Sequence, residues 1–338
     1  MSIRRRKGYT MKYIKHNTVG GPIDISSIAC GTVDIGGKVG KKESFAILDH
    51  FVEQGGNLID TAKVYASWYV GDRPLSEEMI GYWMNVRGNR NDIVISTKGA
   101  HQLISDMDTP RVSAQYILQD IDESLFALGT DYIDIYWLHR DDDTKPVSEI
   151  MPALNKAIKA GKLLSIGASN WTPARMDEAN AFCANNGLQG FSGMQILWSA
   201  AQYVDMLNFD DDLVQITPDI YQWCTQRGML MFAYASQARG VFRKAPAAGG
   251  LANLNETYRR YFTNERIDAQ IAYAYELAVK YDTTPSAVLL AYITSQGLPS
   301  VALAGFSRLA QAKDSLHDPD VMLTAEERAR LGWLESAL

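Results

Sequence analysis

Short apolar runs alternate with amphipathic stretches along most of the chain. Eight apolar runs, each of strand length, are centred near Ile28, Leu58, Ile93, Ile133, Leu164, Met194, Met229 and Val301. Between them lie stretches such as LSEEMIGYWMNVR and VSAQYILQDIDESLFALG, in which apolar residues recur three and four positions apart and a glycine follows the end. This alternation predicts strand–helix units around one parallel sheet. Eight such units predict an α/β fold of the (β/α)8 TIM barrel type.

The N-terminal region does not follow this alternation. Residues 12–26 are predicted to form a short β-hairpin that turns at Gly20 and Gly21 and caps one end of the barrel. Residues 1–11, with the basic run RRRK, are predicted to be a flexible tail, because no apolar segment of signal-peptide length follows them. Residues 12–338 then form a single barrel domain.

An open, doubly wound sheet is the competing architecture. In such a sheet, a dinucleotide site usually has the motif G-x-G-x-x-G after an early strand. The sequence contains no such motif. The fragment GTVDIGGKVG has glycines at a different spacing. We therefore interpret it as a loop after the first barrel strand.

Composition narrows the class of protein further. A chain of 338 residues with 46% hydrophobic and 21% charged residues is long enough for a large core. The net charge of -6 argues against nucleic acid as a partner. No apolar stretch approaches the roughly 20 residues that cross a bilayer, so no membrane partner is expected. Three widely spaced cysteines, Cys30, Cys183 and Cys224, predict buried free thiols and a cytoplasmic location.

Candidate catalytic residues lie at, or just beyond, the predicted ends of three strands. The stretch GGNLIDTAKVY ends a strand on Asp60 and places Tyr65 on the loop beyond, while IVISTK ends on Lys98 and YIDIYWLH on His139. In a parallel barrel these groups emerge on one face. Asp60 could instead only stabilise a local turn, and Tyr65 could only cover an edge of the core. The two later strands favour a catalytic interpretation.

These four residue types suit proton transfer to a developing alkoxide. A tyrosine has an ordinary pKa of about 10, so it is a proton donor at neutral pH if something stabilises its phenolate. We expect Lys98 to lower the pKa of Tyr65, and Asp60 to keep Lys98 charged and aimed. We expect His139 to orient a carbonyl oxygen.

Five stretches together resemble the aldo-keto reductases: GGNLIDTAKVY, VISTKGA, DYIDIYWLHR, GKLLSIGASNW and GFSRLAQAKDSL. The resemblance implies an NAD(P)H-dependent oxidoreductase that interconverts an aldehyde, ketone or sugar-like carbonyl with its alcohol. Asp60, Tyr65, Lys98 and His139 would form the catalytic set, with Tyr65 as the proton donor. Trp68 and His139 would bind the small-molecule substrate.

The resemblance also implies a cofactor site in the second half of the chain. Ser169, Asn170 and Gln195 would hold the nicotinamide carboxamide, although Ser169 and Asn170 could instead cap the helix that begins near Pro173. The full implied set is Thr32, Asp60, Ser169, Asn170, Gln195, Tyr234, Ala235, Gln237, Arg239, Gly305, Ser307, Arg308, Gln311 and Ser315. Within it, Tyr234 would stack on the nicotinamide ring, and Gly305 to Ser315 would contact the adenosine end.

One part of this set departs from the family pattern. Where many members read Tyr-Ser-Pro-Leu-Gly, this chain reads YASQA followed by Arg239. Ala235 lacks a hydroxyl that would contact the pyrophosphate, and we expect Arg239 to supply charge instead. Residues 241–264 show no clear periodicity and are interpreted as a basic loop over the pyrophosphate. Arg308 favours NADP(H), while Gln311 leaves NAD(H) possible.

Two other functions stay open from the sequence. The first is a non-catalytic, cofactor-binding relative that acts as a redox-sensing or partner subunit. The second is an unrelated barrel enzyme that uses Lys98 as a Schiff-base amine. No metal site is predicted, because Asp141, Asp142 and Asp143 lack the alternating spacing of a calcium loop. His16, His50, His101 and His317 are interpreted as structural or surface residues. The sequence marks neither a particular substrate nor an oligomer interface.

Overall fold

The computed structural model describes residues 11–205 and 213–334. The strands are Tyr13–Thr18 (β1), Gly21–Ser26 (β2), Ile28–Gly31 (β3), Leu58–Asp60 (β4), Val94–Gly99 (β5), Ile135–Leu138 (β6), Ile166–Ser169 (β7), Gly193–Leu197 (β8), Leu230–Tyr234 (β9) and Ser300–Gly305 (β10). The helices are Lys41–Glu53 (α1), Leu75–Arg87 (α2), Ala114–Leu128 (α3), Val147–Lys159 (α4), Pro173–Asn186 (α5), Pro218–Arg227 (α6), Val241–Ala247 (α7), Glu256–Phe262 (α8), Ile267–Lys280 (α9), Pro285–Thr294 (α10), Leu309–Ser315 (α11) and Ala325–Leu331 (α12).

Strands β3 to β10 close into a barrel in which every neighbouring pair is parallel. The order around the barrel follows the chain, with β10 pairing with both β3 and β9. Helices connect successive strands, because a parallel neighbour can be reached only by a crossover. The predicted (β/α)8 barrel is confirmed, and each of its strands lies at a predicted apolar run.

The predicted N-terminal hairpin is also confirmed. Strands β1 and β2 pair antiparallel, and the chain turns between Thr18 and Gly21. It covers the end of the barrel at which the strands begin. The backbone N–H of Val19 donates to the carbonyl of Leu164, which lies just before β7, at 2.9 Å. Ile25 packs into the apolar cluster inside the barrel. The hairpin therefore closes one end and leaves the opposite end for the site.

Large and small side chains alternate inside the barrel. The indole of Trp137 from β6 fills the interior and meets the ring of Phe232 at 4.7 Å between centroids. Gly167 on the neighbouring strand makes room for it, since a Cβ there would lie 2.3 Å from Cζ3 of Trp137. A substitution at Gly167 would displace the indole, so the glycine is required by close approach.

Several helices of the outer layer begin at a Thr-Pro pair. Thr172, Thr217 and Thr284 each accept a hydrogen bond from a backbone N–H of the first turn, and a proline follows each of them. Because Thr172 caps α5, the alternative in which Ser169 and Asn170 cap that helix is wrong. Both residues are left to face the open end of the barrel.

The interpretation of residues 241–264 as one loop is wrong. The segment contains α7 and α8, which bury Phe242 and Phe262 against the core. Each helix has 7 residues, so neither is long enough to show a repeating apolar pattern in the sequence.

The predicted tail, apart from Met11, lies outside the described residues, and Met11 itself is packed into the core. Cys30, Cys183 and Cys224 are buried free thiols, as predicted. Across residues 11–205 and 213–334, helices long and apolar enough to traverse a bilayer are absent.

Candidate active site

Lys98 and Asp60 form an ion pair at the open end of the barrel. Both lie on adjacent parallel strands, β5 and β4, and both are almost fully buried. The Nζ atom of Lys98 lies 2.5 Å from Oδ2 of Asp60 and donates to the backbone carbonyl of Thr61 at 2.8 Å. Two acceptors therefore fix the direction of the ammonium.

The second carboxylate oxygen of Asp60 is also held. Its Oδ1 atom accepts from the hydroxyl of Ser96 at 2.7 Å and from Nε2 of Gln195 at 3.1 Å. Ser96 in turn accepts from the indole N–H of Trp137 at 2.8 Å. The carboxylate thus has partners from two other strands, β5 and β8, and cannot turn away from Lys98.

Tyr65 lies beside this pair, on the loop after β4. The Nζ atom of Lys98 is 4.7 Å from the centre of the Tyr65 ring. Burial raises the pKa of Tyr65 and outweighs the nearby Lys98 charge, which lowers it. The expected lowering by Lys98 is present, but burial has the larger effect on the pKa, and sequence alone did not show how deeply the phenol is desolvated. A phenol with a raised pKa keeps its proton until a stronger base develops beside it.

Lys98 is held in its charged form. Burial alone would lower the pKa of its ammonium, but the charge of Asp60 and the neighbouring Tyr65 raise it above the ordinary value. The charge is available to stabilise a phenolate on Tyr65. It also makes Lys98 a poor Schiff-base amine, because that nucleophile must be neutral.

His139 follows β6 and meets the edge of the Tyr65 ring at 5.8 Å between centroids. Burial lowers its pKa far below the ordinary value, and the charges of Lys98 and Arg140 lower it further. The imidazole is therefore neutral. Its Nδ1 atom is buried without a hydrogen-bond partner, which favours the tautomer with the proton on Nε2, since a buried N–H without an acceptor is the costlier arrangement. His139 is then a neutral donor.

A cavity of about 1000 Å³ opens at this end of the barrel. The predicted site residues that line it are Asp60, Tyr65, Trp68, His139, Ser169, Asn170, Gln195, Tyr234, Ala235, Gln237, Arg239, Gly305, Ser307, Gln311 and Ser315. Residues far apart in the sequence, from Asp60 to Ser315, are thus brought to one surface. The volume is at the upper end of the range for small-molecule sites.

Three predicted site residues do not line the cavity. Lys98 lies behind Tyr65, as a group acting through that phenol should. Thr32 is fully buried, and its hydroxyl donates to the backbone carbonyl of Asp60 at 2.9 Å. Arg308 is an exposed residue at the start of α11. Its position gives no support to the choice of NADP(H) over NAD(H).

The amides at the rim are hydrogen-bonded to their neighbours. Asn170, which has a left-handed backbone with φ of 61°, donates to Ser169 Oγ at 3.2 Å. Its Oδ1 atom accepts from the phenol of Tyr234 at 2.8 Å. The rim is therefore preorganised from β7 to β9, with Gln195 joined to the carboxylate of Asp60.

Basic side chains meet the cavity on its other side. Arg239, Arg243 and Lys244, from the turn before α7 and from α7 itself, line it. Two further cations of the same segment point elsewhere: Arg260 pairs with Asp205, and Arg259 donates to a backbone carbonyl. Near α11, Gln311 accepts from the N–H of Ser307 at 2.8 Å, and Gln237 donates to Ser315 at 2.8 Å.

His101 was interpreted as structural or surface, yet it lines the cavity with its ring 4.9 Å from that of His139. Arg140, also unassigned from the sequence, lines it as well. The available signal was position: His101 follows Lys98 by three residues and so leaves the same strand end. The lack of paired metal-ligand spacing is the wrong criterion for a residue that lines a cavity.

No metal is implied by the observed acidic run. Asp141 pairs with Arg175 at 3.3 Å. Among the residues described, no cluster of three or more His, Cys, Asp or Glu side chains is arranged to hold a metal ion.

The chain is similar to known proteins along most of its length. The model of the Aldo/keto reductase family matches residues 27–334, which include every barrel strand. Norsolorinic acid reductase A of Aspergillus parasiticus is 28% identical over 324 residues, covering 90% of this chain and 76% of that protein. Norsolorinic acid reductase B of the same species is 33% identical over 235 residues, covering 65% and 57%. The aryl-alcohol dehydrogenase (NADP(+)) of Phanerodontia chrysosporium is 28% identical over 238 residues, covering 65% and 57%.

Proposed function

The chain belongs to the aldo/keto reductase family and is an oxidoreductase, and we propose that it uses NAD(P)H to reduce an aldehyde, ketone or sugar-like carbonyl to the alcohol, or catalyses the reverse. One observation carries the proposal. A buried ammonium, Lys98, is held between the carboxylate of Asp60 and the phenol of Tyr65, and that phenol faces a large cavity.

In this proposal Tyr65 protonates the carbonyl oxygen as negative charge develops on it. The raised pKa keeps the phenol protonated beforehand, and Lys98 stabilises the phenolate left behind. Asp60 keeps Lys98 charged and pointed at the phenol. His139 donates from Nε2 to the same carbonyl oxygen and, being neutral, orients it without competing to protonate it.

The residues present fit a nicotinamide dinucleotide. Ser169, Asn170 and Gln195 supply hydroxyl and amide groups beside the catalytic set, and Arg239 and Lys244 supply positive charge for a pyrophosphate. When bound, the cofactor supplies the hydride that reduces the carbonyl carbon. NADP(H) is favoured because the aryl-alcohol dehydrogenase relative is named for NADP(+), and NAD(H) is the alternative.

The cavity mouth favours substrates with an aromatic or apolar body. Trp68 lines it with 42% of its surface exposed, and Val33, Ile104 and Leu213 line it nearby. The names of the relatives, norsolorinic acid reductase and aryl-alcohol dehydrogenase, point in the same direction. We therefore include aryl aldehydes and aryl ketones among the first carbonyls to assay.

The proposal is tested first by titrating the protein with NADPH and, separately, NADH while following tryptophan fluorescence. Trp68 lines the cavity, so a bound cofactor should quench part of the emission. Saturable binding in the micromolar range is expected, followed by turnover with a panel of carbonyls. Binding without any turnover would favour the non-catalytic relative, and absence of binding by both cofactors would overturn the proposal.

A further inference from the structure

Ser96 lies inside the barrel, one layer below Lys98 on strand β5. Side chains alternate along a strand, so Ser96 and Lys98 both point inward, while Thr97 between them bonds Glu77 on the helix side. Ser96 is fully buried and is not among the residues that line the cavity. Any effect of Ser96 on the reaction must therefore pass through another residue.

The carboxylate of Asp60 lies between these two layers. Asp60 pairs with Ser96 in the register of β4 and β5, and its Oδ1 atom accepts from the hydroxyl of Ser96 at 2.7 Å. Its Oδ2 atom lies 2.5 Å from Nζ of Lys98. One oxygen is held from below while the other faces the ammonium above. The hydroxyl of Ser96 therefore opposes rotation of the carboxylate away from Lys98.

Trp137 fixes the direction of the Ser96 hydroxyl. The indole N–H can only donate, and it lies 2.8 Å from Oγ of Ser96. Ser96 accepts this hydrogen bond and has its own proton left for Asp60. The indole is itself tightly packed, because it fills the barrel interior against Phe232 and Gly167. A chain of donors thus runs from Trp137 through Ser96 to Asp60.

Gln195 is the other donor to Oδ1 of Asp60, at 3.1 Å. It lines the cavity, and in the proposed function its amide also binds the cofactor, so its hold on Asp60 is shared with a ligand. The hydrogen bond from Ser96 is shorter and lies away from the cavity. We therefore expect it to persist in the free and the cofactor-bound protein alike.

We propose that Ser96 is a positioning residue for the carbonyl reduction, which holds the carboxylate of Asp60 so that Lys98 stays charged and aimed at Tyr65. Without the hydroxyl, the carboxylate loses its nearest Oδ1 donor and is freer to rotate away from the ammonium. Lys98 then stabilises the developing Tyr65 phenolate less well, and transfer of the phenol proton to the carbonyl oxygen slows. The inference rests on the proposed function.

Loss of the Ser96 hydroxyl should also change how the reaction depends on pH. Burial lowers the pKa of Lys98, but Asp60 and Tyr65 raise it above the ordinary value. A carboxylate that turns away leaves burial as the larger influence, so the ammonium loses its proton at a lower pH. Because the reaction needs that ammonium, its alkaline limit should move to lower pH.

The other charged or titratable groups around this pair are His139, Arg140 and Cys30. Burial lowers the pKa of His139 far below its ordinary value, and burial raises the pKa of Cys30 to about 12. The guanidinium of Arg140 keeps its charge throughout. The alkaline limit therefore belongs to Lys98 and Tyr65, which titrate as a coupled pair.

The test measures a single turnover, in which NADPH bound to the protein is oxidised by benzaldehyde, or by whichever carbonyl the native protein reduces fastest, over a series of pH values. We expect Ser96→Ala to lower this rate about 10-fold and to move its alkaline limit about 1 pH unit lower. The dissociation constant for NADPH should stay as it is. Ser96→Cys nearly keeps the size of the side chain but donates weakly, so it should give intermediate values. It serves as the test if Ser96→Ala does not fold.

Ser165 provides a matched control, because it is also a buried serine whose hydroxyl both accepts and donates. Its Oγ atom lies 2.8 Å from Nε2 of His16 and donates to the backbone carbonyl of Asp134 at 2.8 Å, at the hairpin end of the barrel. Ser165→Ala should lower the free energy of unfolding to a similar degree as Ser96→Ala. It should leave the single-turnover rate and its alkaline limit unchanged.

The inference is overturned if Ser96→Ala turns over at the native rate. It is equally overturned if the rate falls while the alkaline limit stays in place, because Ser96 is then only structural. In both cases the native protein still reduces the carbonyl, so the proposed function stands. If the native protein oxidises NADPH with no carbonyl of the panel, the proposed function itself fails, and the inference fails with it.

Discussion

Strand β5 separates two buried groups of charged side chains. On the side facing the barrel interior, Lys98 pairs with Asp60 and contacts the phenol of Tyr65. On the side facing the helices, Asp120 of α3 is bound by Lys63 and Arg111. The cavity opens beside the first group, whereas none of the second group's three residues lines it.

The difference shows what buried charge does and does not indicate about function. In the inner group, the ion pair sits beside an uncharged phenol that can lose a proton into the cavity. In the outer group, Asp120 faces two cations and a backbone N–H group, and Lys63 also pairs with Glu123. None of these residues lines the cavity, so they can hold elements in place but transfer nothing to a substrate there. A perturbed, buried ion pair marks a catalytic site only where a transferable proton and an opening accompany it.

The largest effect should follow from removing the proton donor of the inner group. Tyr65→Phe deletes one hydroxyl, and we expect kcat to fall about 10²- to 10⁴-fold with the affinity for NADPH kept. Steady-state kinetics and fluorescence titration measure the two quantities. Tyr69→Phe, at an exposed tyrosine four residues along, is the control and should keep full activity. Comparable turnover in the two variants would remove Tyr65 from the mechanism.

The next effect should follow from removing the carboxylate at the centre of the outer group. Asp120→Ala leaves Lys63 and Arg111 buried without their shared partner, and we expect a loss of about 3–5 kcal/mol in the free energy of unfolding. Urea unfolding measures it. The control on the same helix is Asp122→Ala, which breaks a pair with Lys162 that is largely exposed and should lose about 0–1 kcal/mol. Equal losses would mean that the outer group does not hold the elements together.

Glu77 of α2 lies next to the outer group and makes stability depend on pH. Burial raises its pKa to about 7, although a hydrogen bond from Thr97 lowers it. The folded state therefore binds this proton more tightly than the unfolded state does. The resulting stability is fully present below the unfolded pKa of about 4.5 and is lost as pH rises to about 7.

Glu77→Gln should remove this dependence. Relative to the native protein, the variant should gain about 3 kcal/mol in the free energy of unfolding between pH 4.5 and pH 8. Urea unfolding at a series of pH values measures the gain. Glu78→Gln, at the adjacent position in an ion pair with Arg73, is the control and should leave the pH profile unchanged. Parallel profiles for native and Glu77→Gln protein would show that Glu77 is not desolvated.

The smallest effect should come from the edge of the inner group. Gln195→Ala removes the amide that donates to Asp60 and faces the cavity, and we expect the dissociation constant for NADPH to rise about tenfold. Fluorescence titration measures the change. Gln189→Ala, at an exposed glutamine before β8, should leave the constant as it is. An unaltered constant in Gln195→Ala would place its amide outside the cofactor site.

The inner group was predictable from sequence, and the outer group was not recognised. Asp60 and Lys98 end apolar strands, and parallel strand ends meet by geometry alone. Asp120 lies in an amphipathic helix at the spacing of its buried residues, with Ile117 and Ile121. An acidic residue on the core-facing side of a helix can be recognised from the sequence. The sequence does not show which cations from distant loops pair with it.

Other features could not be predicted because they depend on tertiary packing. The raised pKa of Tyr65 follows from burial that no local pattern records. The position of His101 at the cavity wall depends on a left-handed turn at Ala100, a residue with no marked preference for that conformation. In the same way, α7 and α8 are too short for periodicity and are stabilised by the core that they cover.

The attachment of two loops to the carboxylate of Asp120 matters for protein engineering. Lys63, two residues before Tyr65, and Ala100, the residue before His101, both bind this one carboxylate. Helix α3 therefore governs the spacing of two loops at the cavity mouth without reaching the cavity itself. Directed-evolution libraries restricted to the lining residues would leave this control of loop spacing unchanged. Randomising the neighbours of Asp120 offers a route to altered substrate range that leaves every lining side chain in place.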